Sequence, residues 1–239
     1  MTQLQRIAIA PSQLQASQII LTPQQLHYLV RVLRLREGDR FIAMDGLGKW
    51  WLAQLTGEQA QVLETLSVET ELPVSITLMV ALPKGSGFDE VVRCCTELGV
   101  TCIAPVISDR TLLNPSPQKL ERWRRIAAEA AEQSERAFVP TILEPVAFSE
   151  SLSTVNGQKY ICEARGNYPQ LLNCLPNKAQ ITNDQALIIA TGPEGGWTEK
   201  EVEIAIASGF QPVSLGRRIL RAVTAPIVAL SIVTATCEV

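Results

Sequence analysis

The apolar positions of residues 1–72 predict a small β-rich module around one helix. Runs of strand-forming residues lie at 6–10, 40–44, 51–55 and 61–66. Thr22 can cap the helix, and Pro23 suits its first position. Four apolar residues then share one face of this helix: Leu26, Leu29, Val30 and Leu33. We expect the boundary of the module within residues 69–73.

From residue 74 onward the pattern changes to apolar strands that alternate with helices. The strand-like runs lie at 74–82, 102–106, 141–143, 159–162, 186–190 and 212–215. The clearest helices are predicted at 88–98, 117–137 and 199–208, and Thr198 with Glu201 three residues later can form the capping pair of the last helix. This alternation is typical of βαβ units, so the sequence predicts an α/β domain with a parallel sheet.

Two glycine-rich turns follow the last two predicted strands. The first is Gly-Pro-Glu-Gly-Gly at residues 192–196, and the second is Leu215-Gly216. An open α/β sheet binds its ligands at the carboxyl ends of the strands, and glycine lets the backbone approach a ligand without a Cβ in the way. Neither turn has the spacing of a dinucleotide fingerprint, and the chain has no GxxxxGK[ST] phosphate loop. We therefore expect a different ligand.

The charge balance argues against a protein that coats nucleic acid by bulk charge. The 21 Lys and Arg residues face 24 Asp and Glu residues, which gives a net charge of −3. Arginines nevertheless cluster at Arg31, Arg34, Arg36 and Arg40, at Arg122, Arg124 and Arg125, and at Arg217, Arg218 and Arg221. Such clusters can position a phosphate backbone or form solvated helix faces paired with glutamate, and we favour the second interpretation for the middle cluster.

Localisation and metal binding are also constrained by the sequence. No apolar stretch reaches the roughly eighteen residues of a spanning helix, and the first residues lack the pattern of a secretory signal. We expect a cytoplasmic protein with no membrane partner. The six cysteines form no Cys-x-x-Cys pair, and with one histidine in the chain they give no zinc pattern, so no metal is expected.

The two turns, together with Arg221 and the Thr224-Ala225 pair, resemble the RsmE family of ribosomal RNA methyltransferases in the SPOUT superfamily. His27, residues 31–34, Lys84 and Arg110 also match the family pattern, so the resemblance covers nearly the whole chain. It implies a PUA-like RNA-binding domain at residues 1–72. It further implies a SPOUT methyltransferase domain at residues 73–239, with a parallel sheet and a deep trefoil knot.

The resemblance also implies an activity and its partners. The expected reaction is methylation of N3 of one uridine near the 3′ end of 16S rRNA, with S-adenosylmethionine as cofactor. The expected partners are 16S rRNA in the small ribosomal subunit and a second copy of the chain in a homodimer. Two alternatives stay open: a SPOUT enzyme with another RNA target, and a noncatalytic RNA-binding relative.

The cofactor residues implied by the resemblance all lie in the two turns. They are Gly192, Glu194, Gly195, Gly196, Leu215, Gly216, Ile219 and Leu220. The alternative is that both turns need glycine only for their geometry. Because two such turns occur together with the wider match, the sequence favours a cofactor site.

Two residues are candidates for the chemistry at uridine N3. That nitrogen must lose a proton, so a nearby cation or a carboxylate base would speed the step. Arg221 is the candidate cation, and its alternative is a salt bridge or a phosphate contact. Glu194 is the candidate base, although a carboxylate near a helix N-terminus also suits a purely structural role, which we favour. Val223 stands where the family has a glutamate, so Arg221 could be held differently here.

The candidate RNA contacts are spread along the chain. His27, Arg31 and Arg34 are expected to share a face of the N-terminal helix. Lys84 follows a predicted strand, and Arg110 belongs to the family pattern. The alternatives are a packed or capping role for His27 and plain solvation for Lys84.

Overall fold

The computed structural model describes residues 4–112, 115–176 and 186–238. The chain divides into two compact units. The first consists of Met1–Glu71 and Ala131–Val139, and the second of Leu72–Ala130 and Pro140–Val239. The sequence pattern gave no sign that Ala131–Val139 would join the first unit.

The first unit contains a six-stranded sheet in the order β1-β4-β5-β6-β3-β2 among its described residues. β1 is parallel to β4, and the other pairs are antiparallel. Its strands are β1 (Arg6–Ala8), β2 (Leu14–Gln15), β3 (Gln18–Ile20), β4 (Arg40–Met44), β5 (Trp50–Thr56) and β6 (Gln59–Leu66). The β-rich module is confirmed. The sequence pattern missed β2 and β3, which are too short to show a clear alternation.

The N-terminal helix is shorter than predicted. α1 spans Pro23–His27, and its cap is confirmed, since Thr22 and Gln25 exchange hydrogen bonds between side chain and backbone. Tyr28–Val32 then form a turn of π-helix. Beyond it Arg34 has a left-handed φ of 60°. The predicted helix face shared by His27, Arg31 and Arg34 is therefore wrong.

Burial of leucines explains why the helix changes at Tyr28. The Leu33 N–H reaches back five residues to the Tyr28 carbonyl at 2.9 Å, which makes a wider turn than that of an α-helix. Leu29 is fully buried in the core of the first unit, and Leu33 and Leu35 pack against that core. Val30, predicted on the apolar face, is instead 39% exposed. Packing of the leucines thus overrides the helical spacing.

A buried ion pair holds Ala131–Val139 in the first unit. The Arg136 side chain is almost fully buried and donates to the carboxylate of Glu71. The same carboxylate accepts the backbone N–H groups of Ala137 and Phe138 at 2.9 and 3.2 Å. Glu71 therefore neutralises a buried guanidinium and satisfies two amides at once.

The second unit contains a seven-stranded sheet among its described residues, and every pair in it is parallel. The strand order is β10-β8-β7-β12-β11-β13, and β9 pairs with β8. Its strands are β7 (Ser75–Ala81), β8 (Cys102–Ile107), β9 (Thr141–Ile142), β10 (Val146–Ala147), β11 (Gln158–Cys162), β12 (Ala186–Thr191) and β13 (Phe210–Val213). The predicted parallel sheet and the α/β class are confirmed.

The remaining helices pack against this sheet or connect its strands. They are α2 (Gly87–Glu97), α3 (Pro117–Gln133), α4 (Phe148–Ser151), α5 (Leu171–Cys174), α6 (Glu199–Ala207) and α7 (Thr224–Glu238). The prediction that α3 reaches residue 137 is wrong, because Glu135 adopts a left-handed φ of 60°. No helix in the described part of the chain is long and apolar enough to cross a membrane.

Replacement of Arg136 by alanine tests the buried ion pair. Arg136→Ala leaves the partly buried Glu71 carboxylate without its guanidinium, so the free energy of unfolding of the first unit should fall by about 3–5 kcal/mol. Arg93→Ala removes an exposed pair with Glu90 and should lower the free energy of unfolding far less. Urea denaturation of both variants measures the difference. Equal losses would mean that the Arg136 pair does not hold the segment.

Candidate functional site

Loops that follow three neighbouring strands surround a cavity of about 560 Å³ in the second unit. The strands are β12, β11 and β13, which lie side by side and point the same way. The lining comes from residues 162–166 and Tyr168, from residues 192–197, and from Ile219, Leu220 and Ala222. Arg110, Ala225 and one face of α6 complete it. A cavity of this size can hold a small organic molecule.

The structure brings the first glycine turn and the residues that follow the second turn to this cavity. Gly192, Glu194, Gly195 and Gly196 of the first turn line it, as do Ile219 and Leu220 after the second. Leu215 and Gly216 lie outside the lining and form the bend that leads into it. Six of the eight predicted cofactor residues therefore face one cavity, and their role as cofactor contacts stays a prediction.

The first turn is closely packed against Trp197. A Cβ at Gly192 would lie 3.3 Å from the Trp197 indole, closer than most side-chain contacts. The indole stacks on Phe148 with a ring separation of 4.3 Å and donates to the carbonyl of Cys162 at 3.2 Å. Trp197 thus joins the loops after β11 and β12. Glycine at 192 leaves room for it.

Arg110 binds the backbone of the first turn. Its guanidinium donates to the Gly195 carbonyl at 2.6 Å and to the Trp197 carbonyl at 3.3 Å. A Cβ at Gly195 would lie 3.0 Å from Arg110 Cδ. Arg110, which the family pattern predicts as an RNA contact, therefore also helps to fix the shape of the cavity.

Glu194 connects the first turn to the loop after β7. Its carboxylate accepts the backbone N–H of Lys84 at 2.9 Å, and β7 is the neighbour of β12 in the sheet. This contact agrees with the structural role that the sequence favoured for Glu194. Lys84 itself is exposed, with its side chain available to solvent.

The buried carboxylate of Glu201 fixes the helix that follows the first turn. Glu201 is 5% exposed, and one of its oxygens accepts the Thr198 N–H at 2.8 Å while the other accepts the Asp109 N–H at 2.9 Å. Thr198 caps α6 in return by accepting the Glu201 N–H. The predicted capping pair is confirmed. It also holds the loop after β8, next to Arg110.

The second turn is held by Ser214. Gly216 has a left-handed φ of 118°, and its N–H donates to Ser214 Oγ at 3.1 Å. The Ser214 N–H donates in turn to the Pro169 carbonyl at 2.8 Å. The loops after β11 and β13 are thus joined through backbone hydrogen bonds. Ile219 is 73% exposed at the mouth of the cavity.

Arg221 is exposed beside this cavity. Its carbonyl accepts the N–H groups of Thr224 and Ala225, both at 2.9 Å, which begins α7. Its guanidinium forms no hydrogen bond or ion pair with any residue that the structure describes. Val223 packs on α2, since its Cγ2 lies 2.7 Å from where a Cβ of Gly87 would stand. The salt-bridge alternative for Arg221 finds no partner in the described residues.

The sequence analysis missed the wall contributed by the loop after β11. This wall includes Cys162, Glu163, Arg165, Gly166 and Tyr168. The signal was present, because a strand was predicted at 159–162 and the rule of strand carboxyl ends applies to it as well. Burial raises the pKa of the Cys162 thiol to about 12, so it stays protonated and acts as an apolar wall.

The candidate RNA contacts fall on both units. His27, Arg31 and Arg34 are exposed on the first, and Lys84 and Arg110 are exposed on the second. Tyr28, within the π-helical turn, is 40% exposed beside them. Among the described residues no cluster of His, Cys, Asp and Glu could hold a metal ion.

Two family models match the chain. The model described as an RNA methyltransferase domain matches residues 70–234. The model described as an RNA methyltransferase PUA domain matches residues 21–63. Together they cover most of both units.

Two curated proteins show the similarity over nearly the full length. Ribosomal RNA small subunit methyltransferase E of Synechocystis is 51% identical over 239 residues, which cover 98% of this chain and 78% of that protein. The protein of the same name from Bacillus subtilis is 31% identical, with 91% of this chain and 90% of the relative covered.

Solved structures agree with these matches. Ribosomal RNA small subunit methyltransferase E from Neisseria gonorrhoeae, bound to S-adenosyl methionine, superposes with a TM-score of 0.83 at 33% identity, covering 98% of each chain. A putative methyltransferase from Legionella pneumophila, in complex with the same cofactor, gives a TM-score of 0.84 at 28% identity, again covering 98% of each chain.

Removal of the Glu201 carboxylate tests the support behind the cavity. Glu201→Ala leaves the amides of Asp109 and Thr198 without their acceptor, so the second unit should lose about 1–3 kcal/mol of stability. Hydrogen exchange should accelerate at these two amides. Glu203→Ala, on the exposed face of the same helix, is the matched control and should change neither quantity. An unchanged hydrogen-exchange rate of the Asp109 amide in the Glu201→Ala variant would show that Glu201 does not hold this loop.

Proposed function

Because the chain belongs to the RsmE family of ribosomal RNA small subunit methyltransferases, in the SPOUT superfamily, we propose that it methylates N3 of one uridine near the 3′ end of 16S rRNA. The proposed methyl donor is S-adenosylmethionine, with which two similar structures were solved. The observation that carries the proposal is the single cavity lined by the first glycine turn and by Ile219 and Leu220, which follow the second.

The residues around the cavity suit this donor. S-adenosylmethionine supplies an electrophilic methyl group on a positively charged sulfur and also carries an ammonium and a purine. The lining offers carboxylates at Glu163, Glu199 and Glu203, and apolar surface at Val202, Ile206 and Leu220. Gly192 and Gly195 expose backbone where a Cβ would meet Trp197 or Arg110. The Thr191 hydroxyl at the base of the first turn is buried and lacks a partner among the described residues.

The chain's own contribution to methyl transfer is mainly to hold the two reactants in line and to exclude water. We assign Arg221 the role of the cation beside the target base, where its exposed guanidinium would stabilise the anion left when N3 loses its proton. Glu194 already accepts the Lys84 N–H, so we assign it a positioning role.

The two units suggest a division of labour. We propose that the first unit binds RNA, which the match to a PUA domain supports, and that the second carries methyl transfer. The deep trefoil knot, a homodimer, a cytoplasmic location and the small ribosomal subunit as the physiological substrate belong to the same proposal. The largely apolar α7 supports a homodimer, because apolar helix faces are common in obligate interfaces.

Methyl transfer to small ribosomal subunits tests the proposed reaction. Subunits from cells that lack this activity should gain 3-methyluridine near the 3′ end of 16S rRNA, as mass spectrometry of nuclease fragments would show. Arg221→Ala should lower the single-turnover rate by about 10²–10³, because a charge at the reacting base is lost, while donor affinity stays within twofold.

Two outcomes would overturn this assignment. A methyl group on another nucleotide or on a ribose would indicate a different target. Donor binding without transfer to any RNA would indicate the noncatalytic alternative. Arg93→Ala is the control. Arg93 lies in α2, pairs with Glu90 and does not line the cavity, so this variant should keep the wild-type rate.

The RNA role of the first unit has its own test. Arg31→Ala with Arg34→Ala should weaken RNA binding and reduce the slope of log affinity against log salt by about 1.4, since each phosphate contact to a single strand contributes about 0.7. Calorimetry should show unchanged donor affinity. An unchanged salt slope would remove both arginines from the interface.

A further inference from the structure

The arginines of the second unit fall into two groups. Several have partners that explain their position: Arg93, Arg122, Arg124 and Arg125 pair with carboxylates, and Arg110 binds backbone carbonyls. Arg165, Arg217 and Arg218 are exposed, and within the described residues their guanidinium groups form no hydrogen bond or ion pair. Arg221 shares this property, but it is already assigned to the reaction.

The unpaired arginines stand at the mouth of the same cavity. Arg165 is one of the residues that line it, and Arg218 immediately precedes Ile219, which also lines it. Ile219 is largely exposed, so this part of the lining opens to solvent. We call Arg165, Arg217 and Arg218 the arginine collar.

Backbone pairing brings the members of the collar together. Cys162 at the end of β11 is the register partner of Val213 at the end of β13, and the Glu163 N–H donates to the Val213 carbonyl at 2.9 Å. Arg165 and Arg217 follow these strand ends by only three and four residues. Both loops therefore leave neighbouring strands at the same edge of the sheet.

The loops beneath the collar are held by other groups. The Glu163 carboxylate accepts the backbone N–H of Arg165 at 2.8 Å, and Ser214 accepts that of Gly216. These contacts fix the backbone and leave the guanidinium groups facing solvent. Three unpaired cations on loops at one edge of the sheet repel one another, so a shared anionic ligand would relieve the repulsion.

We propose that the arginine collar binds phosphate groups of the RNA strand that delivers its target nucleotide to the cavity. Guanidinium groups bind phosphate oxygens in a bidentate manner, and their charge does not depend on pH in the physiological range. Since the whole protein carries a net charge of −3, a local patch must provide this attraction. The inference rests on the proposed function, because it assumes an RNA substrate.

A salt titration with matched variants tests the collar. The probe is a fluorescein-labelled single-stranded RNA with the sequence of the 3′ end of 16S rRNA. Arg217→Ala with Arg218→Ala should reduce the slope of log affinity against log salt by about 1.4, for two lost phosphate contacts. The control is Arg93→Ala with Arg124→Ala, which removes the same charge from arginines that already have carboxylate partners and should leave the slope unchanged.

A conservative variant separates charge from folding. Arg217→Lys with Arg218→Lys keeps both charges and should retain most of the wild-type slope. If the salt slope of the lysine variant falls as much as that of the alanine variant, while circular dichroism shows that both variants are folded, the collar does not act through its charge. A slope that is equal in the alanine variant and the control would also overturn the proposal, as would a wild-type protein that does not bind this RNA.

Calorimetry of donor binding tests a second possible ligand of the collar. The collar could instead hold the carboxylate of the methyl donor, in which case the alanine variant would lose donor affinity tenfold or more with an unchanged salt slope, and the proposal would be wrong. These readouts do not require methyl transfer. A wild-type protein that binds RNA through the collar but transfers no methyl group would support the collar and contradict the proposed function.

Discussion

Parallel pairing of β12, β11 and β13 is the constraint on which the candidate site depends. The pairing sets Cys162 beside both Thr191 and Val213, so three loops that are distant in sequence begin at one edge of the sheet. Each loop then needs little more than a tight turn to face the same cavity. Without this register the two glycine turns would be isolated bends, and neither would define a ligand site.

Polar side chains that bind backbone groups keep these loops in place. Glu201 satisfies amides in the segments after β8 and β12, Glu194 ties the first turn to the loop after β7, and Arg110 binds carbonyls of the first turn and of Trp197. Each of these side chains forms a hydrogen bond with a backbone donor or acceptor. Leaving such a group without a partner would cost free energy of folding. Charged residues near the site thus divide into those that shape it and those, such as the collar, that remain free for a ligand.

Sequence reasoning predicted what local periodicity encodes. The parallel sheet, the cap at Thr198 and the convergence of the two turns followed from apolar runs and turn residues. The π-helical turn at Tyr28–Val32 could not be predicted, because burial of Leu29 overrides helical spacing there. The place of Ala131–Val139 was equally hidden, since it depends on the pairing of Arg136 with Glu71, 65 residues away in sequence. Glu201 was predicted as the partner of Thr198 in the cap of α6, but its hydrogen bond with Asp109, 92 residues away in sequence, was missed for the same reason.

The proposed function depends on binding of the methyl donor in the strand-end cavity of the second unit. Backbone amide NMR spectra of the protein during titration with S-adenosylhomocysteine, the unreactive product of the donor, test it directly. We expect the largest shifts at the amides of residues 163–166, of Gly192, of residues 194–197 and of residues 219–222. Saturation with shifts confined to other residues, or no shift at millimolar ligand, would contradict the account.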